Sequence, residues 1–165
     1  MQSPPSSVIS GHSRHDWRAI FVAILAIGVD AVMVMRASPS LAQDRPTLTS
    51  AQAHAQAAAG SLVIVDIRAP REWASSGVAS NARLVTMYQP RARFAEKIKA
   101  LQASDRRVAL ICAGGVRSRQ MQAVLARAGV SGVVDIRDGM LGGLRGRGWI
   151  KSGLPTRRYS PRAGN

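Results

Sequence analysis

Past residue 45 the chain alternates two textures. Continuous apolar runs, "LVIVDI" at 62–67, "RVALI" at 107–111 and "GVVDI" at 132–136, stand between polar stretches. Each run is short, rich in β-branched residues and flanked by turn-formers, so each reads as a strand buried on both faces. "ARLVTM" at 82–87 gives a weaker strand. The stretches between them carry helical periodicity. In "RARFAEKIKAL", Phe94, Ile98 and Leu101 recur at i, i+4 and i+7. In "RSRQMQAVLARAG", Met121, Val124, Leu125 and Ala128 share one face, and Gly129 supplies the stop. "TLTSAQAHAQAAAGS" sets Thr49 and Gln52 at capping-box spacing, fills with alanine and ends at Gly60. Pro70 is placed to open a short helical turn. Strands alternating with helices predict crossover connections. The expected fold class is α/β, a doubly wound, mostly parallel sheet with helices on both faces.

The N-terminal segment is different. Arg14 and Arg18 precede an eleven-residue apolar run, Ala19 to Val29, and "SLA" precedes Gln43. Basic residues, an apolar core and small residues at a cleavage spacing have the layout of a secretory signal. The run is shorter than the roughly 20 residues that span a bilayer, and Asp30 follows it. Residues 1–42 are therefore expected to be a signal peptide, with a retained single-pass anchor as the alternative. Cleavage would leave a periplasmic or secreted protein, in contact with a membrane only if the segment stays. Residues 47–156 form the expected domain. "TRRYSPRAGN" ends the chain, and residues 157–165 are expected to be a disordered basic tail.

The formal net charge is +14. The arginines are scattered and aromatics make up only 4% of the chain, which gives no stacking platform for single strands. Nucleic acid is not an expected partner, and small anions remain. A lone cysteine, Cys112, cannot close an internal disulfide. An odd thiol in an exported chain is an intermolecular link or a reactive group.

Cys112 stands where "RVALI" ends and a helix begins, at the carboxyl end of a strand, where open α/β sheets place ligands. In "CAGGVRS", Gly114 and Gly115 let backbone N–H groups turn inward. Inward amides over a helix N-terminus favour negative charge, and so the thiolate. Arg117 adds a positive charge, though its fork can instead tie the loop together. Ser118 adds a hydroxyl. Asp66 and Arg68 read as a structural pair at a strand end, Glu72 as ordering a turn, and Trp73 and Trp149 as packing residues. His54 reads as a surface side chain. No metal-ligand spacing is visible.

From about Leu48 to Pro155 the chain resembles the rhodanese (sulfurtransferase) domain. "LVIVDIRAPREW" resembles its strand, D-x-R and Glu-aromatic pair, in Asp66, Arg68, Glu72 and Trp73. "LICAGGVRS" resembles its active-site loop, with C-x-x-G-x-R-S spelled by Cys112, Gly115, Arg117 and Ser118. "GWIKSGLP" resembles its closing tryptophan and G-x-P. Two departures stand out. "SSGVASNA" at 75–82 lacks the histidine that many members carry, and the glycines before the tryptophan are stretched into "GMLGGLRGRGW", which bears on the rim facing the substrate.

The resemblance implies a sulfurtransferase. Cys112 would carry a sulfane sulfur as a persulfide, taken from a small anionic donor such as thiosulfate and passed to a thiol or cyanide. It further implies that the backbone of Ala113, Gly114, Gly115, Val116 and Arg117 cradles the sulfur and that Arg117, supported by Ser118, positions the donor. No metal or organic cofactor is implied. A protein sulfur acceptor or a thiol reductant is a further expected partner. Two rivals are a cysteine-dependent phosphatase or arsenate reductase, and a catalytically weak carrier or interaction module. The phosphatase loop is C-x5-R, one residue longer than the stretch from Cys112 to Arg117.

Overall fold

The computed structural model describes residues 45–161. The expected signal or anchor at 1–42 lies outside the described residues. The strands are β1 (Thr47–Leu48), β2 (Leu62–Asp66), β3 (Val78–Ala79), β4 (Arg83–Leu84), β5 (Arg107–Ile111), β6 (Val134–Ile136) and β7 (Thr156–Arg157). The helices are α1 (Ser50–Ala58), α2 (Pro70–Ser76), α3 (Arg91–Gln102) and α4 (Val116–Arg127).

Five strands form one sheet in the order β1-β6-β5-β2-β4, and every pairing in it is parallel. The alternation of side chains along each strand explains both cores. Val63, Val65, Val108 and Leu110 point to one face, where they pack with Phe94 and Ile98 of α3 and Met121 and Leu125 of α4. Leu62, Ile64, Ala109 and Ile111 point to the other, with Ala53 of α1, Met140 and Trp149. Burial on both sides explains the continuous apolar runs, and helices do cover both faces. Each fully buried branched side chain contributes about 1.5–3 kcal/mol.

Local signals hold at the helix starts. Thr49 caps α1 through a complete capping box with Gln52, and Pro70 opens α2. The inward face of α4 differs from the expected one. Met121 and Leu125 are buried, but Ala128 is exposed and Gln122 is buried. The Gln122 side chain is held because its amide donates to the carbonyls of Pro46 and Val133, each at 2.8 Å. His54 is half-buried rather than on the surface, edge-on to Trp149 with ring centroids 5.6 Å apart.

The expected disordered tail from residue 157 is corrected at its start. β7 pairs antiparallel with β3, placing Arg157 opposite Val78. The Arg157 guanidinium donates to the carbonyls of Ser80 and Ala82. Tyr159 packs edge-on against Trp73 at 5.3 Å between ring centroids. Backbone pairing and an aromatic anchor hold a segment whose basic composition alone suggests disorder. Among the described residues no helix is long and apolar enough to cross a membrane.

Candidate active site

Cys112 follows the last residue of β5. Its side chain continues the alternation of Val108 and Leu110, so the sulfur falls on the face covered by α4. The residue is almost completely buried, at 1% exposure. Beyond it the chain reverses at Gly115, whose φ of +84° is in the left-handed region. Any Cβ there would run into the Arg137 carbonyl. The turn aims the Gly115 N–H at Cys112 Sγ, 3.1 Å away. Among the described residues this is the one loop amide within hydrogen-bond distance of the sulfur, a narrower cradle than a full ring. α4 then starts at Val116, and its first-turn amides lack helical acceptors, as at any helix start.

The loop backbone is clamped from below. Met140 and Leu141 donate their amides to the carbonyls of Cys112 and Ala113, both at 2.8 Å. Gly139 permits this approach, since a Cβ on it would meet the Ala113 carbonyl oxygen at 2.5 Å. Gly114 lies just over Gly142. The stretched glycine segment therefore supports the loop, where the sequence suggested only a changed rim.

Ser118 is fully buried, with its hydroxyl 3.4 Å from Cys112 Sγ. That hydroxyl donates to Asp135 Oδ1 at 2.7 Å. Asp135 Oδ2 pairs with Arg145 at 3.0 Å, and the same Arg145 nitrogen donates to the Gly115 carbonyl at 2.6 Å. Sequence reasoning missed both residues. Asp135 sits inside the apolar run "GVVDI", and Arg145 sits among scattered arginines. The available signal was the parity of β6. Asp135 is paired with Leu110, so its side chain faces α4.

Arg117 faces away from the sulfur toward α2. Its two terminal nitrogens donate to Glu72 at 2.6 and 2.9 Å, and one also donates to the Tyr88 hydroxyl at 3.0 Å. The hydrogen bond from Arg117 brings the Glu72 pKa down from 4.5 to about 2. Partial burial opposes that shift, while the Ala69 amide and the charges of Arg117 and Arg68 reinforce it. The same pair raises the Arg117 guanidinium further above its ordinary value, mainly through the Glu72 bond. Arg117 thus ties the loop to α2, as the fork reading allowed. Glu72 also caps its turn by accepting from the Ala69 amide at 3.0 Å. Beneath it, Arg68 and Asp66 form a fully buried pair at 2.7 Å, and Arg68 also donates to Ser76 and to the Gly77 carbonyl.

A cavity of about 520 Å³ lies elsewhere, with Trp73, Leu84, Leu101, Arg157 and Tyr159 among its walls, and no residue of the loop lines it.

The rhodanese-like domain family matches residues 49–144. The chain belongs to the rhodanese-like family. Solved structures agree with the fold. Rv0390 from M. tuberculosis is 25% identical, with a TM-score of 0.53, over 69% of this chain and 98% of that one. A rhodanese-related protein from Thermoplasma volcanium is 25% identical, with a TM-score of 0.51, over 69% of this chain and 99% of that one. A protein of unknown function from Rhodopseudomonas palustris CGA009, described as a possible tyrosine phosphatase, is 30% identical, with a TM-score of 0.52, over 68% of this chain and 85% of that one. No curated protein matches the chain. The rhodanese-like match covers the loop, α2 and Asp135, but stops one residue before Arg145.

Proposed function

We propose that the protein is a sulfurtransferase that carries a sulfane sulfur on Cys112. One observation supports this above the others: Cys112 Sγ sits between a strand end and a helix start and receives the Gly115 N–H at 3.1 Å. A sulfur held there can bear charge as it gains and loses a neighbour.

Cys112 sulfur attacks the outer sulfur of a small anionic donor such as thiosulfate. An Sγ–S bond forms, the donor S–S bond breaks, and its electron pair leaves on sulfite. The thiol proton passes to sulfite or to water. A thiol or cyanide then attacks the outer sulfur of the Cys112 persulfide. A new persulfide or thiocyanate forms, and the cysteine sulfur departs with the bond pair. Thiol–disulfide exchange chemistry suffices, because polarisable sulfur is both nucleophile and leaving group. The Gly115 amide receives the growing charge on Sγ, while Arg117 contributes as the tie between loop and α2.

The likeness to a possible tyrosine phosphatase makes phosphate-ester hydrolysis the second reading. The loop from Cys112 to Arg117 is one residue short of C-x5-R. A phosphoryl group asks for several loop donors at once, and here the arginine fork is turned onto Glu72. Sulfur is favoured on both counts. The N-terminal segment supports an exported protein, with a thiol reductant or a protein sulfur acceptor as a further partner.

The test is mass spectrometry of the intact protein after incubation with thiosulfate. A gain of one sulfur atom is expected, lost in Cys112→Ser and removed by cyanide with release of thiocyanate. Sulfur uptake by Cys112→Ser, or turnover of aryl phosphates without sulfur uptake, would overturn the reading. Sequencing the mature N-terminus checks export.

A further inference from the structure

The cavity of about 520 Å³ has walls of a definite chemistry. It lies along the outer side of β4, whose one neighbour in the sheet is β2. Lys97 and Leu101 of α3 line it, as does Tyr159 beyond β7. Part of the wall is apolar. Trp73 is buried there, and Leu84, Leu101 and Tyr159 are half-buried. Leu84 belongs to neither core, so its apolar surface is left to the cavity.

The charged part of the wall carries one sign. Arg83, Lys97 and Arg157 line the cavity, and among the described residues no aspartate or glutamate does. None of the three is in an ion pair among those residues. Arg157 is held by the carbonyls of Ser80 and Ala82, which orient its guanidinium and leave its charge unneutralised. The uncharged polar groups here include donors. Val85 gives its amide to the Asp66 carbonyl of β2, so alternation along β4 turns the Leu84 N–H toward the open edge. Trp73 Nε1 is buried and has no acceptor among the described residues.

We propose that this cavity is a binding site for a small organic anion, an apolar body that carries a carboxylate or a sulfonate. The volume falls within the about 300–1,000 Å³ of small-molecule sites, which combine apolar walls with a few polar groups. The body covers Leu84, Leu101 and the aromatic pair of Trp73 and Tyr159, and the anionic group lies among the three cations. An occupant that accepts hydrogen bonds suits a wall of donors. The rival occupant is an extended peptide, because open sheet edges accept strands. β4 is only two residues long, a short template beside the usual strand of about 5–6 residues. No residue of the Cys112 loop lines the cavity, so the site is separate from sulfur transfer and does not depend on it.

The probe is anilinonaphthalene sulfonate, titrated into the native protein at neutral pH by calorimetry and by dye fluorescence. One equivalent should bind saturably. Phenylnaphthylamine, the same aromatic body without the sulfonate, should bind at least roughly tenfold more weakly, about what one close charge contact contributes. Arg83→Glu combined with Lys97→Glu changes two exposed side chains and should weaken the sulfonate by at least roughly tenfold. Leu84→Trp fills the cavity without changing its charge and should abolish binding, with the fold of both variants checked by circular dichroism. Equal affinity of the sulfonate and the neutral analogue for the wild-type protein would overturn the proposal, a result that needs no variant. So would sulfonate binding that survives in both folded variants. Displacement of the dye by an acidic extended pentapeptide but not by naphthalene sulfonate would assign the cavity to a strand-adding partner instead and would equally overturn it.

Discussion

Arg117 and Glu72, forty-five residues apart, meet in a two-pronged ion pair at 2.6 and 2.9 Å. Arg117 is in the first turn of the helix that follows Cys112, and Glu72 is in the first turn of α2. The pair therefore connects the two strand-to-helix loops at the carboxyl ends of β2 and β5, which are neighbours in the sheet. A fork geometry resists rotation better than a single contact, so the start of α4 is held in position.

The pair should be visible in acid. The Glu72 carboxyl is displaced from 4.5 down to about 2 in the folded protein. A lowered folded value means the ionised form binds the fold. The stabilisation is complete above about 4.5 and is lost as pH falls toward 2. A shift of this size corresponds to roughly 3 kcal/mol at most, and partial exposure reduces it to about 1–2 kcal/mol. Urea unfolding of Glu72→Gln against wild type should show that difference at pH 6 and little of it at pH 2.5. Equal stability of the two chains at pH 6 would show the pair to be neutral.

Arg68 and Asp66 make the sharper stability prediction, because both side chains are fully buried. Arg68→Met leaves the Asp66 charge without a partner. Breaking one side of such a pair costs about 3–5 kcal/mol. Adding Asp66→Asn should recover part of that loss, since it removes the stranded charge. Chemical denaturation of the single and double variants measures both. A loss under about 1 kcal/mol for Arg68→Met would contradict the burial argument.

The tail makes a third prediction. Truncation before Thr156 removes β7 and Tyr159, and with them the edge-on cover of Trp73. Lost apolar contact of this kind costs about 1–2 kcal/mol, and the Trp73 indole should move toward water. A red shift of tryptophan emission, with a lower Tm, is the expected reading. An unchanged spectrum and Tm would place the tail outside the fold.

The main strands were legible because burial on both faces makes them continuous apolar runs, broken only by Asp66 at the end of β2, Arg107 at the start of β5 and Asp135 within β6. β2 and β5 fall within the expected runs for that reason. The loop was legible because glycine, arginine and the thiol stand together in the chain. Asp135 was not, because its partners Ser118 and Arg145 come from a helix and a distant turn, and only strand register brings them together. Gln122 was hidden similarly, since a polar residue reads as outward unless the carbonyls that await it are known. Arg157 and Tyr159 were missed because composition speaks of charge and is silent on backbone pairing.

Two glycines allow conformational strain to be separated from close approach. Gly129 and Gly115 have similar positive φ, +78° and +84°. A Cβ at Gly129 meets open space, while one at Gly115 meets the Arg137 carbonyl. Gly129→Ala should therefore cost only the left-handed penalty, about 1 kcal/mol, and leave sulfur uptake by Cys112 intact. Gly115→Ala adds a backbone collision. It must shift either the loop or the strand connection at Arg137, so its cost should reach about 3 kcal/mol or more. Because the Gly115 N–H is the donor to Cys112 Sγ, uptake should also fall, even under conditions where the variant is folded by circular dichroism. Equal effects of the two substitutions on stability would show that the clash at Gly115 relaxes freely, and preserved uptake in Gly115→Ala would show that the sulfur does not depend on that amide.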